Sequence, residues 1–258
     1  MRSRTLAGSA LVLALLAGCG GGDPAPENTA DAARESAMTA LAHSDDHLQT
    51  ESFTVEVESG DAMRTTSRMD VPNRRAEMAL RQATGEEQSM TIRTRLLGDD
   101  VFMQIEGASI PGVDTRWMRI DRSKIGRGLE VGFTPGTNDA GGAGRLLAAI
   151  TDARRLPDGR YKGTVDLAQV GTGTGLSFST SDIAGLGDAA RAVPFLATVD
   201  ERGRLTHLQI DLPAITAGKA PTIETRYTAF GEPFDVQAPP AGQVVTPPDS
   251  VYRYFGGR

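Results

Sequence analysis

Regular alternation of apolar and polar side chains is the feature that most constrains the fold of this chain. Phe53, Val55 and Val57 alternate with polar residues, which indicates a strand with one dry face. The same period of two continues through four further segments, which turn sequences separate: 63–71, 75–81, 89–97 and 101–106. Five strands joined by short links predict an antiparallel meander. A sixth strand is expected over 116–120, around the only tryptophan.

The alternation also divides the side chains of the meander between two faces. It directs a largely apolar set to one side: Met69, Met78, Leu80, Met90, Ile92 and Met103. It directs a charged set to the other side: Arg75, Glu77, Arg81, Arg93 and Arg95. The strands are therefore expected to bury one face and to expose the other.

Helices are expected before and after the meander in the sequence. Between residues 29 and 44, apolar side chains recur at three- and four-residue spacing, which predicts an amphipathic helix. A second helix is predicted from a cap at Asn138 to the basic residues at 154–155, with apolar side chains at Leu146, Leu147 and Ile150. A short third helix is predicted over 182–192.

Strands return in the last third of the chain. Tyr161, Val165 and Leu167 indicate one strand, and a tight hairpin is predicted in which Gly203 adopts a positive φ between strands 194–199 and 205–212. A last strand is expected over 222–230. Because no segment between 30 and 235 has the composition of a linker, residues 30–237 are interpreted as a single α+β domain. The Pro-rich residues 238–258 are interpreted as a tail, since proline cannot pair inside a sheet.

The N-terminus has the pattern of an export signal. Arg2 and Arg4 precede an apolar run from Leu6 to Ala17, which is too short to span a bilayer. The run ends at Leu16-Ala17-Gly18-Cys19, and Cys19 is the only cysteine. This tetrapeptide resembles the lipobox of bacterial lipoproteins. The resemblance implies removal of residues 1–18, acylation of Cys19 and a stable membrane anchor on the extracytoplasmic face.

Residues 19–29 are interpreted as a flexible tether because glycine and then proline dominate them. The whole chain has 27 basic and 33 acidic residues, and removal of the signal takes away two arginines, so the mature chain carries 25 against 33, a formal charge of −8. This acidic balance argues against a nucleic-acid partner. A single cysteine excludes an internal disulfide framework.

Two further segments carry a family resemblance. Residues 193–205, VPFLATVDERGRL, and residues 227–236, YTAFGEPFDV, followed by Pro239-Pro240, combine with the lipobox, the meander and the central helices. Together these features resemble actinobacterial envelope lipoproteins of the LppX, LprA, LprF and LprG family, whose fold is similar to that of the carriers LolA and LolB. The resemblance covers nearly the whole mature chain.

The resemblance implies a strongly curved antiparallel half-barrel with helices packed on its concave face. It also implies an apolar cavity between sheet and helices that holds acylated lipids, and flexible methionines suit such a cavity. The candidate lining residues are those expected to face it: Phe53, Val55, Val57, Met69, Met78, Leu80, Met90, Ile92, Met103, Ile105, Trp117, Leu146 and Ile150. The same residues also fit a filled core.

Two functions therefore stay open. The first is an anchored lipoprotein that binds or transfers acylated lipids. The second is an envelope sensor or protein-interaction module of the same fold without lipid cargo, which would use the outer sheet face or the Pro-rich tail.

Catalytic motifs are not recognisable in the sequence, so we expect no enzyme and no cofactor. It has no nucleophile elbow, P-loop or zinc-protease motif. The glycines at 171–175 lack the spacing of a nucleotide-binding loop. His43 and His47 have a spacing of four, near Asp45, Asp46 and Glu51, but they lie where the first helix should end, and solvent-facing histidines are expected there instead of a metal site.

Overall fold

One large sheet organises the chain. The computed structural model describes residues 26–85, 87–125, 139–170, 180–213 and 222–256. Twelve strands are present in these residues: β1 Ser52–Ser59, β2 Met63–Asp70, β3 Arg75–Ala83, β4 Ser89–Leu97, β5 Asp100–Glu106, β6 Trp117–Arg119, β7 Ile150–Arg155, β8 Tyr161–Val165, β9 Val193–Val199, β10 Leu205–Asp211, β11 Thr222–Thr228 and β12 Val244–Val245. The predicted signal peptide, Cys19, Asn138 and the loop 171–175 lie outside the described residues.

The strands are ordered β12-β6-β5-β4-β3-β2-β1-β11-β10-β9-β8-β7. Every neighbouring pair is antiparallel except β12 and β6, which are parallel. The sheet consists of two meanders, β1–β6 and β7–β11. They are joined by the pairing of β1 with β11. Because β12 and β7 are its two edges, the sheet is not closed. The predicted α+β class and the antiparallel meander are confirmed.

Five short or medium α-helices accompany the sheet in the described residues: α1 Pro26–Ala42, α2 Ala143–Ala148, α3 Leu167–Val170, α4 Thr180–Leu186 and α5 Asp249–Tyr254. The predicted helices at 29–44 and 182–192 are confirmed, the second as α4 followed by a 3₁₀ turn at Gly187–Ala192. Gly203 has φ of 81°, as the predicted hairpin requires.

The prediction of one continuous helix from 138 to 155 is wrong outside Ala143–Ala148, because a turn with positive φ at Gly141 and Gly142 precedes the helix. Helix α2 stops at Ala148, and β7 begins at Ile150. The β-branched side chains of Ile150 and Thr151 disfavour a helix. Hydrogen bonding to β8, with Ala153 opposite Gly163, satisfies the backbone instead. A long-range partner thus decides between helix and strand.

Helix α1 covers the β7 edge of the sheet. It packs against β7 through its buried residues Ala37 and Leu41. On the same side of the helix, the Arg34 side chain donates to the Asp152 carboxylate at 2.6 Å and to the Thr151 carbonyl oxygen at 2.7 Å, both on β7. An edge strand exposes unpaired backbone groups, and α1 shields those of β7.

The segment after β11 is packed against the sheet, and so are the residues predicted as a tail, 238–258, through β12 and the buried side chains of Val251 and Tyr252. Residues 231–243, the crossing segment, pass over the face opposite to the core, from β1 towards β6. The Gly231 amide donates to the Ser52 carbonyl at 2.8 Å, Arg68 stacks on Phe234, and Arg95 donates to the Gln237 carbonyl at 3.1 Å. β12 then adds a short strand beside β6, and α5 follows.

Phe53 stabilises the junction between the two meanders. Its side chain is 1% exposed and contacts the Tyr227 ring edge-on at a centroid distance of 5.9 Å. Phe53→Ala should lower the free energy of unfolding by about 3–5 kcal/mol, because it leaves a cavity at the junction. Phe234→Ala removes the same atoms from a half-buried position and should cost roughly 1 kcal/mol. Urea unfolding compares the two variants, and equal losses would contradict this role of Phe53.

Candidate functional site

Ten of the thirteen candidate residues lie on one face of β1–β5. The register places Phe53 opposite Met69, and Met78 opposite Thr94, which in turn is opposite Met103. Since side chains alternate along strands, this register directs the following residues to one side: Phe53, Val55, Val57, Met69, Met78, Leu80, Met90, Ile92, Met103 and Ile105. We call this side the apolar face. The predicted division of the meander into an apolar and a charged face is confirmed.

Methionine dominates the apolar face of the first meander. Six methionines project from it, on β2 to β6: Met63, Met69, Met78, Met90, Met103 and Met118. Their unbranched thioether side chains adapt to irregular neighbours more readily than branched side chains do. This half of the face can therefore adjust its shape to what contacts it.

Most of the apolar face is closed by packing. Phe53, Val55 and Val57 are each 2% exposed or less. They belong to one continuous core with the buried residues of β4, β5 and the second meander. At β1 the face is a filled core.

The middle of β3 differs from this closed part. Met78 and Leu80 are only half-buried, although they project from the same face as Phe53. Thr65, opposite Leu80, is half-buried, and Gln82 is exposed. We call these four residues, Thr65, Met78, Leu80 and Gln82, the β3 window. The window is an opening in an otherwise buried apolar surface.

Three candidates lie apart from the other ten. The prediction that Trp117 shares their face is wrong, because its neighbour Met118 is opposite Met103 on the apolar face and alternation directs Trp117 to the other side. Leu146 lies on α2, and Ile150 begins β7 at the far edge of the sheet. Both are buried in the core. Neither lies on the strands that form the β3 window, and β7 is the edge strand farthest from β3 on its side of the sheet.

Helix α2 and the turn before it dock on the apolar face through Tyr227. The Tyr227 hydroxyl donates to the Ala140 carbonyl at 2.8 Å. Gly141 has φ of 84°, and a Cβ there would lie 2.9 Å from the Tyr227 hydroxyl, so the close approach requires glycine. Burial raises the pKa of Tyr227 well above its ordinary value, and the carboxylates of Asp139 and Asp45 add to the rise. Tyr227 therefore acts as a neutral hydrogen-bond donor.

Two carboxylates lie beside this docked turn. Asp139 accepts a hydrogen bond from the Gly144 amide at 2.8 Å. A Cβ on Gly144 would lie 2.8 Å from Asp45 Oδ2 and 3.4 Å from Asp139 Oδ1. Burial raises the pKa of Asp45 above its ordinary value, and the charges of Asp139 and Asp46 raise it further, while His43 opposes them.

The two neighbouring histidines bind different carboxylates. His43 Nδ1 lies 3.2 Å from an Asp46 oxygen, and His47 Nδ1 lies 2.8 Å from a Glu51 oxygen. Helix α1 ends at Ala42, so the helical spacing that would align the histidines is lost. His207 lies far from this pair, on β10, and its Nε2 is 3.7 Å from Glu224 on β11. Among the described residues, no group of three or more His, Cys, Asp or Glu side chains could hold a metal ion.

Two depressions lie outside the apolar face. One, of about 500 Å³, is lined by the start of β1, the β2–β3 turn and the crossing segment. The other, of about 170 Å³, lies on the charged face of β2–β4 beside Trp117. Sequence reasoning missed both, because each is lined by residues from separate strands or turns that only the folded sheet brings together. The alternation of side chains gives one indication of the second depression, because it places arginines on the charged face.

In the parts of the chain that the structure describes, no helix is both long and apolar enough to cross a bilayer. No protein-family model matches this chain, and comparison with curated proteins and with solved structures finds no similar protein.

The raised pKa of Asp45 predicts a pH-dependent stability. As pH rises from 3, this carboxyl ionises first in the unfolded chain, so its contribution makes the folded state relatively less stable. Asp45→Asn should therefore raise the urea midpoint at pH 7, and this gain should vanish near pH 3. Asp61→Asn changes an exposed carboxylate in the turn between β1 and β2 and is the control. A gain from Asp45→Asn that is equal at both pH values would contradict the burial of this charge.

Proposed function

We propose that this chain is an envelope lipoprotein, anchored through Cys19, that binds acylated lipids against its apolar face. The observation that carries the proposal is the β3 window, where Met78 and Leu80 are only half-buried on a face that is mostly buried elsewhere. Covering such a surface lowers the free energy, because it removes apolar area from water. An acyl chain is a suitable cover, since it has no polar groups to desolvate.

Burial of methylene groups supplies the binding free energy. At about 0.8 kcal/mol per buried CH₂, ten methylenes contribute about 8 kcal/mol before ordering costs. The methionines around the window, Met63 and Met90, flank Gln82 on the two neighbouring strands. Their flexible side chains allow an acyl chain to enter between them without displacing a rigid core. Binding therefore needs no large preformed cavity.

The finer architecture is part of the same proposal. We infer a curved half-barrel with helices on its concave face, as in the LppX, LprA, LprF and LprG family and in LolA and LolB. Support comes from α2, which docks over the apolar face at Tyr227, and from the packing of Leu146 and Leu147 into the core. Sequence support comes from the lipobox and the segments at 193–205 and 227–236.

Native mass spectrometry tests for lipid. A Cys19→Ser chain without its anchor, produced in a lipid-containing host, should carry one bound lipid in addition to the polypeptide mass. Incubation of the delipidated chain with vesicles should restore the bound lipid. A bare polypeptide mass before and after this incubation would contradict lipid binding.

A matched pair of variants locates the lipid. Leu80→Asn places an amide in the β3 window and should weaken lipid binding about tenfold, because about 1.4 kcal/mol of apolar contact is lost. Leu196→Asn makes the same change at a half-buried position on the opposite face, where Leu196 pairs with Lys162 and Gln209. Lipid binding by this control should stay unchanged. Equal effects of the two variants would argue against the β3 window.

The second candidate function is an envelope sensor or protein-interaction module without lipid cargo. The close packing of Phe53, Val55 and Val57 favours it, because a filled core leaves no room for cargo at β1. In-cell crosslinking from the exposed face separates the two functions. Recovery of one specific envelope protein, together with a lipid-free mass, would support the module, and recovery of lipid alone would exclude it.

A further inference from the structure

A small notch lies on the charged face of the first meander, on the other side of the sheet from the β3 window. Its floor is formed where two short side chains, Thr66 and Ala79, stand opposite each other on β2 and β3. Longer side chains line the depression around this pair: Arg68, Glu77, Arg93, Arg95 and Trp117. The volume of the depression is about 170 Å³. We call this depression the polar notch.

Three guanidinium groups and one carboxylate line the notch. Arg68 comes from β2, whereas Arg93 and Arg95 are two positions apart on β4. Glu77 supplies the carboxylate, and it lies 3.2 Å from Arg68. The lining therefore carries two more positive than negative charges, although the mature chain as a whole is acidic. The local excess of positive charge therefore comes from where the fold places these arginines, and not from the overall composition.

Two of the guanidinium groups are held in place by aromatic rings and by the crossing segment. The Arg68 guanidinium lies 4.7 Å from the centroid of the Phe234 ring, and that of Arg95 lies 4.8 Å from Trp117. Arg95 also donates to the Gln237 carbonyl at 3.1 Å, and no ion pair joins it to a carboxylate among the described residues. Stacking orients a guanidinium while leaving N–H groups available at its edge.

Arg93 is oriented from the opposite side of the notch. It lies 2.7 Å from the Glu106 carboxylate on β5 and 3.4 Å from the Gln104 amide oxygen. Guanidinium groups thus border the notch from two strands, with orientations that neighbouring residues set. Preorganised donors lose little freedom when they bind an anion.

The chemistry of this arrangement fits a phosphate group. A planar carboxylate is satisfied by one or two guanidinium groups, whereas a tetrahedral phosphate offers oxygens in several directions and forms strong, charge-assisted bonds with each. The volume is below the range of about 300–1,000 Å³ that holds a whole drug-sized ligand. We propose that the polar notch binds a phosphate group, carried either by a lipid headgroup or by a soluble phosphate ester.

Trp117 provides a direct measurement, because it is the only tryptophan of the chain and forms one wall of the notch. The full mature lipoprotein, in uncharged detergent and phosphate-free buffer, is titrated with inorganic phosphate, glycerol 3-phosphate and dihexanoyl phosphatidic acid. We expect a saturable change in Trp117 fluorescence. Sodium chloride at equal ionic strength should not reproduce it.

Two variants with opposite expected effects on phosphate affinity test whether phosphate binds in the notch. Arg93→Gln should weaken phosphate binding at least tenfold without touching Trp117 or the crossing segment. Glu77→Gln removes the negative charge from the lining and should tighten binding about threefold. Arg64→Gln is the matched control, because Arg64 lies on the same face of the sheet as Arg93 but pairs with Glu58 outside the notch. Urea unfolding of each variant verifies that it folds.

The source of the phosphate follows from the same titrations. Equal affinity for glycerol 3-phosphate and phosphatidic acid supports a soluble ester, whereas much tighter binding of phosphatidic acid that Arg93→Gln weakens supports a lipid headgroup. Absence of a saturable change, a matching response to chloride, or equal losses in Arg93→Gln and Arg64→Gln would overturn the proposal. Because notch and β3 window lie on opposite faces, a lipid-free mass in the earlier experiment leaves this inference intact.

Discussion

The pairing of β1 with β11 is the interaction on which the rest of the structure depends. Each meander forms from strands that are neighbours in sequence, but β1 and β11 are separated by most of the domain. Their register runs from Thr54 opposite Thr228 to Ser59 opposite Ile223. Closing so long a loop costs conformational entropy. Burial of Phe53, Val55 and Tyr227 at this junction offsets that cost, so the core and the sheet stabilise each other.

The same register places two different chemistries on opposite faces. A shift of one residue would exchange the faces of every side chain in a strand. With the observed register, Met78 and Leu80 project to the apolar face, whereas Glu77 and Ala79 between them project to the charged face. β3 therefore contributes to both proposed sites. An acyl chain at the window and a phosphate in the notch would be separated by the thickness of the sheet.

Much of the fold could be predicted because its signals are local. Alternation over 89–97 coincides with β4, and the hairpin glycine at 203 has the predicted φ. The segment from 150 to 155 was assigned to a helix because its spacing of apolar residues fits either structure, and only β8 as a partner decides for a strand. The candidate face was predicted for ten residues. For Trp117 the prediction is wrong, because the short β6 has too few residues for alternation to assign a face.

The sequence by itself determined the strand segments of the meander, the division of their side chains into two faces, and the expectation of export and anchoring at Cys19. These follow from patterns that span only a few residues. Only the tertiary structure decided which part of the apolar face stays open, and that the crossing segment orients Arg68 and Arg95 around a notch. The physical reason is that the exposure of a side chain and the orientation of a charged group depend on tertiary contacts, such as those of Arg68 with Phe234 and of Arg95 with Gln237, which no local pattern encodes.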